Sequence, residues 1–460
     1  MILRLILIFS FCLSLANNTF AQAIEGKLLD TWSVDTIVPT AQYDNIYNEI
    51  WGLVVNGREY AVIGSTYGTH FIDVTNPSDI VEVAVIKGND SSDILVHRDY
   101  HDYKGYLYAV AQEGNSTMQI IDYSDLPNSV SVLYDSSDIL GTAHNIFIDT
   151  SSAIMYAGVA NGDNVNYAPM RLFDLSEPLN PKVIADYNTV DGYFLNHMHD
   201  AYVVNDTAFI NCGPRGLLIS DFSDPKFPIN ITSLDPLEYP QSGYNHSGWL
   251  SDDHQTYIMA DETWGTDLKV WDITQLPDMI LIDTIDAGAT SELSIAHNQI
   301  IHGDYLYSSY YYDGLQVWDI KDPYNIERVL YYKTSERDYA RTYEGAWGVY
   351  PFLPSGNILV SDMQEGLFVI EGVDRTLSGT QIDPIENDWQ VFPNPVSNTI
   401  DIKTELDLNN YKVELFDAVG NRIKNLKGST PFKINLPNGI YHLRLSSKNI
   451  SSTKSVIVAQ

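Results

Sequence analysis

Apolar residues in this chain come in short runs separated by Gly, Asn, Asp and Pro. One run recurs: a small residue, alternating apolar positions, Asp, an apolar residue, Ser or Thr, one variable position and Pro. The Asp is Asp73 in GTHFIDVTNP, Asp122 in MQIIDYSDLP, Asp174 in MRLFDLSEP, Asp221 in GLLISDFSDP, Asp272 in LKVWDITQLP and Asp319 in GLQVWDIKDP; GLFVIEG puts Glu371 in that place. Successive copies lie 47 to 52 residues apart. A period near fifty built from strand-like units predicts a solenoid or a propeller.

Each repeat holds more than this phrase. A second apolar run precedes it, as in EYAVIGS at 59–65, IMYAGVA at 154–160 and NILVSDM at 357–363. Another strand candidate comes before that, such as IWGLVV at 50–55, and a fourth follows the Asp-Pro phrase, such as IVEVAVI at 80–86. Four short strands per repeat predict a propeller blade, and seven repeats predict seven blades. The seventh repeat lacks a fourth strand. The unassigned run GKLLDTWSV at 26–34 is expected to pair with it and close the ring, removing an open edge. The repeated Asp sits where a strand meets a turn, so it reads as a turn-former bonding nearby backbone N–H groups.

The two ends of the chain differ from this pattern. Residues 1–21 have Arg4, an apolar stretch and Thr19-Phe20-Ala21, which predicts a secretory signal peptide. The apolar stretch is shorter than the roughly 20 residues of a membrane span. Residues 373–388 are polar and aperiodic and read as a linker. Residues 389–460 alternate strands with Asn-Pro, Val-Gly-Asn and Pro-Asn-Gly turns, which predicts a small β-sandwich. The fold expected is therefore all-β: a seven-bladed β-propeller over 22–372, then a small β-sandwich.

The repeat wording and the order of landmarks such as NHMHDAYVV, HSGWLSDDHQTYIMADE and AHNQIIHGDYLYSSYYYDGLQVWDI resemble the LVIVD-repeat proteins of the choice-of-anchor B family over about residues 25–372. That resemblance implies a β-propeller outside a bacterial cell and brings no agreed catalytic mechanism. The tail resembles the C-terminal sorting domain of the Bacteroidetes type IX secretion system. The matching marks are Phe392-Pro393-Asn394-Pro395, Leu415-Phe416-Asp417, Gly420, Gly439-Ile440-Tyr441 and Lys454. It implies partnership with that secretion machinery and a secreted or outer-membrane-surface location.

Charge and cysteine content agree. The 460 residues carry a formal net charge of −34, which repels nucleic acid and anionic lipid. Past the signal peptide only Cys212 remains, so no internal disulfide forms and the core must supply stability. Cys212 lies in an apolar run and reads as a buried small hydrophobe. Gly-x-Ser-x-Gly, His-Glu-x-x-His and the phosphate- and dinucleotide-binding glycine motifs are missing.

Candidate chemistry comes from aligning the first strand of each repeat by its distance to the second. One register then reads Trp51, Arg98, His144, His199, His246, His297 and Trp347, followed by Gly52, Asp99, Asn145, Asp200, Ser247, Asn298 and Gly348. First strands line a propeller's channel, so four blades would present His near one mouth. Imidazole beside Asp or Asn suits a divalent metal ion, with His144, His199, His246 and His297 as ligands. Arg98, Asp99, Asp200, Trp51 and Trp347 are the expected ligand-binding residues. A polar ligand pocket and plain ring packing are the other two readings of the register. Two acidic groups, Asp252-Asp253-His254 with Asp261-Glu262 and Asp99-His101-Asp102, lack the spacing of a calcium loop and read as solvated faces. Two functions follow: a surface binding scaffold for a polysaccharide or protein ligand, or a metal-dependent hydrolase or lyase using the His set.

Overall fold

The structure is a computed structural model and describes residues 23–289, 291–378, 389–404, 408, 412–416, 422–426, 430–447 and 450–459. The expected signal peptide, most of the expected linker, and Asp417 and Gly420 lie outside these residues. The chain divides into two compact units, one ending at Val373 and one beginning at Asp374.

In the first unit the strands of each repeat pair antiparallel in chain order within one sheet, four from each of the first six repeats and three from the seventh. The seven first strands are Tyr47–Val55, Arg98–Tyr103, Asn145–Asp149, Asp200–Val204, Asn245–Leu250, Ala296–His302 and Ala346–Tyr350. Each contacts the first strand of the next sheet, and the seventh contacts the first. Apolar side chains alternate along these strands and meet those of the neighbouring sheet. Seven apolar clusters result, one between each neighbouring pair. The cluster joining the last sheet to the first holds Tyr47, Ile50, Ile63 and Ile72 against Leu359, Leu367 and Val369.

The missing fourth strand of the seventh sheet is supplied from the other end of the chain. Leu28–Trp32 pairs antiparallel with Gly366–Ile370. A strand not anticipated from sequence, Ile24–Glu25, adds in parallel to Glu327–Tyr332 on the sixth sheet. The repeated Asp behaves as a turn-former. In Asp73, Asp122, Asp174, Asp221, Asp272 and Asp319, Oδ1 accepts the backbone N–H two residues on, at 2.7–3.0 Å. Backbone and hydroxyl hydrogen bonds from Ser176 and Ser223 hold Asp174 and Asp221 below the usual carboxylate range. Glu371 has no fourth strand to turn into. It meets Lys27 Nζ at 3.2 Å instead, a second tie between the chain's two ends.

Val373–Ser378, expected to be irregular linker, forms a short helix. Val373 is only 3% exposed and belongs to the cluster between the sixth and seventh sheets, so burial extends order one step past the last strand. The second unit has a three-stranded and a four-stranded sheet. Trp389, Val396, Ile400, Leu415, Leu443 and Val456 are among its buried core residues.

Deleting residues 24–34 leaves strand edges open on the sixth and seventh sheets. The expected result is a melting temperature lower by about 10 °C or more, given roughly 2–4 °C per kcal/mol for a large domain, together with concentration-dependent light scattering.

Candidate functional site

The starts of the first strands of the second to seventh sheets face one cavity of about 490 Å³. His97, His144, His199, His246, His297 and Trp347 line it. Their rings follow one another around the opening. Neighbouring centroids are 4.8 Å (His97–His144), 4.1 Å (His144–His199), 4.1 Å (His199–His246), 4.4 Å (His246–His297), 4.4 Å (His297–Trp347) and 5.4 Å (Trp347–His97) apart. The four expected histidines and Trp347 therefore meet.

Each of these four imidazoles has its Nδ1 occupied by the protein. His144 Nδ1 meets Gln112 Oε1, His199 Nδ1 the His246 carbonyl at 3.1 Å, and His297 Nδ1 the Trp347 carbonyl at 2.6 Å. These partners accept only, so each Nδ1 carries the proton. His246 Nδ1 is 3.0 Å from Ser247 Oγ, whose own hydrogen goes to the His297 carbonyl at 2.8 Å. Nδ1 donates there too. Burial, then the neighbouring imidazoles, hold His144, His199 and His246 well below the ordinary His value. Burial pushes His297 down to about 3. Burial therefore favours the neutral form of all four rings. His144 Nε2 and His199 Nε2 stand 2.7 Å apart, a hydrogen-bond distance too short for a metal ion to lie between them.

The four rings do not converge on one point. Among the described residues, His199, His246 and Glu262 form the group whose ligand atoms all lie within 4.8 Å of one another. His246 Nε2 is 3.9 Å from Glu262 Oε2, and Tyr311 donates its hydroxyl to Glu262 Oε1 at 2.6 Å. Burial raises the Glu262 carboxyl to about 7 against that hydrogen bond. Glu262 read from sequence as part of a solvated acidic face. Its neighbour Asp261 turns the other way, into a buried pair with Lys269 at 2.6 Å. Strand alternation at the end of Thr256–Asp261 sends adjacent carboxylates to opposite sides. Gly345 also serves this corner: its φ is +100°, and a Cβ there would lie 1.9 Å from the Tyr311 carbonyl oxygen.

Arg98 is not in the mouth. Its Nε donates to the Ser65 carbonyl at 2.7 Å and its Nη2 to the Asp90 carbonyl at 2.9 Å, tying the first two sheets. His97 takes the mouth position, its Nδ1 and backbone N–H both held by the Glu113 carboxylate. Trp51 is also absent from the mouth. Its strand runs nine residues, Tyr47–Val55, and Trp51 pairs with Val62 well inside the hairpin, so a fixed distance to the second strand lands too deep. Trp51 stacks on His101 at 4.7 Å and lies 5.3 Å from Tyr350. The residue of the first sheet that joins Asp99, Asn145, Asp200 and Asn298 is Glu49.

Those five form a polar layer one step below the imidazoles. Asp99 Oδ2 accepts the Ile146 N–H at 2.6 Å, Asp200 Oδ1 the Ala201 N–H at 2.7 Å, and Glu49 Oε2 accepts from Asn298 Nδ2 at 3.0 Å. Burial raises Glu49 and Asp200 to about 7 and Asp99 well above the usual range. Further on, Trp51, His101, Phe147, Tyr202, Trp249 and Tyr350 crowd together. Asp102 is separate from the polar layer, accepting from Trp51 Nε1 and the Tyr123 hydroxyl, each at 3.0 Å. Asp252 and Asp253 cap exposed turns. Tyr310, Tyr311 and Tyr312 are each 1% exposed; Tyr310 and Tyr312 serve packing, and Tyr311 holds Glu262.

Residues 390–459 match the family described as the secretion system C-terminal sorting domain. The chain is thus exported by type IX secretion to the cell surface or the extracellular space. No helix among the described residues is long and apolar enough to cross a membrane. No curated protein matches the chain.

Cys212 is buried and free, its S–H directed to the Ile210 carbonyl at 3.5 Å, and burial pushes the thiol up. The native protein is expected to leave a disulfide thiol reagent unreacted over hours and to react promptly once unfolded. Rapid reaction of the folded protein would show an open thiol.

Proposed function

We propose that the first unit is a closed seven-bladed β-propeller of the LVIVD type, displayed outside the cell, that binds a transition-metal ion at one mouth of its channel. His199, His246 and Glu262 are the ligands, and His144 and His297 flank them. The observation that carries this reading is the convergence of His199, His246 and Glu262, with Nδ1 of both imidazoles held by protein acceptors. Acceptors on Nδ1 are what orient histidine ligands in metal sites. Two imidazoles and one carboxylate also make the usual three-ligand set of a catalytic zinc site, which leaves a position for water or substrate.

Of the two functions expected from sequence, this favours the metal-dependent hydrolase or lyase over the pure binding scaffold. A bound divalent ion would deprotonate Glu262 and lower the pKa of a coordinated water toward neutrality. His97, gripped by Glu113, presents Nε2 to the same cavity and supplies a proton acceptor. Tyr43, Tyr244 and Tyr343 wall the opening and give a substrate aromatic faces and hydroxyls. The ring of neutral imidazoles favours zinc, iron or copper over calcium or magnesium.

Elemental analysis of the purified secreted protein, dialysed without chelator, is expected to find close to one transition metal per chain. His199→Ala and His246→Ala should each cut retained metal roughly tenfold or more, with circular dichroism unchanged. His144→Ala should weaken retention less. Absence of metal, together with no thermal shift on adding zinc, copper, iron or manganese, would return the cavity to the scaffold reading.

A further inference from the structure

Beneath the imidazoles the channel changes chemistry from nitrogen to oxygen. Glu49, Asp99, Asn145, Asp200 and Asn298, from five different sheets, line the narrow waist, and all five also line a cavity of about 70 Å³ below it. Gln299 joins them there. We propose that this layer is a binding site for a hard divalent cation, calcium in the first instance. It is separate from the transition-metal site above and does not depend on it.

Three observations point to a cation. The first is unbalanced charge. Three carboxylates face a closed space, and Arg98, the one Lys or Arg bordering the waist among the described residues, has its guanidinium turned to the carbonyls of Ser65 and Asp90. Buried carboxyls without a basic partner either keep a proton or take a cation, and a divalent ion would satisfy all three. The second is unused acceptors. Asn145 Oδ1 and Gln299 Oε1 are buried and find no hydrogen-bond partner, although Gln299 is only 2% exposed. Its Nε2 is already engaged with Ser247 Oγ at 3.1 Å, which leaves the oxygen over. Asp99 accepts from the Ile146 and Tyr100 N–H groups and Asp200 from the Ala201 N–H and the Asn145 side chain, which leaves lone pairs on both carboxylates. The third is rigidity. Each ligand stands at or beside the start of a first strand, where sheet pairing fixes the backbone.

Mixed carboxylate and carboxamide oxygens, with room for a water or two, are what calcium takes in its flexible six- to eight-fold shell. The imidazole layer lies on the softer side of the same division, so the two levels of the channel sort metals by ligand type.

The test uses the full secreted protein, stripped with chelator, reloaded with zinc and titrated calorimetrically with calcium chloride at physiological ionic strength. One saturable calcium site per chain is expected. Asp200→Asn should weaken it by roughly tenfold or more while zinc content stays the same. His246→Ala should lose zinc and keep calcium, so failure of the upper site leaves this result readable. Glu49→Gln, which preserves the Asn298 contact, serves as the second variant if Asp200→Asn does not fold. Calcium uptake that is unsaturable, or equal in wild type, Asp200→Asn and Glu49→Gln, would assign it to the acidic exterior and overturn the proposal. So would a lack of uptake of both calcium and manganese.

Discussion

The pairing of Leu28–Trp32 with Gly366–Ile370 is the contact on which the first unit depends. Seven sheets that each bury an apolar face against the next leave two unsatisfied faces and one short sheet unless the ends meet. The N-terminal strand completes the seventh sheet, and the cluster around Tyr47, Ile63, Leu359 and Val369 fills the last space between sheets. Lys27 with Glu371 adds an ion pair at the same junction, exposed on the lysine side and therefore worth little by itself. Hydrophobic burial and the ladder carry this join between the last sheet and the first.

Once the sheets are drawn together, their first strands crowd a common line, and the side chains there face conditions unlike core or surface. They are too polar for the apolar clusters and too confined to be freely hydrated. The chain answers this in layers. Imidazoles at the opening stay neutral because burial disfavours the charged form and because Nδ1 has an acceptor ready in the neighbouring sheet or strand. Hydrogen bonding between sheets thus orients the rings. Carboxylates one step deeper rise toward neutral pKa values for the same reason, with too few donors nearby to offset burial.

The acidic exterior and the acidic waist answer different needs. A net charge of −34 keeps an exported protein soluble and turns away nucleic acid and anionic membranes. The waist carboxylates are few but enclosed, so their charge is not screened by salt as surface charge is. The aromatic crowd of Trp51, Phe147, Tyr202 and Trp249 beyond them restricts that side, leaving the imidazole mouth as the wider approach.

The repeat spacing alone determined seven four-stranded units, the turn role of Asp73 and its counterparts, and the strand owed to the seventh sheet, because alternation and turn chemistry are local properties of the chain. The register of His144, His199, His246 and His297 was legible for the same reason: one structural position repeats once per unit. Three things were not. The first strand of the first sheet, Tyr47–Val55, is longer than its counterparts, so a fixed distance to the second strand landed on Trp51, two residues past Glu49. His97 displaced Arg98 because the guanidinium found carbonyls between sheets, a long-range contact. Glu262 enters the cavity only because its strand ends there and Tyr311, 49 residues away, holds it. Periodicity places residues on a face; which of them meet across the channel is decided by the packing of one sheet on the next.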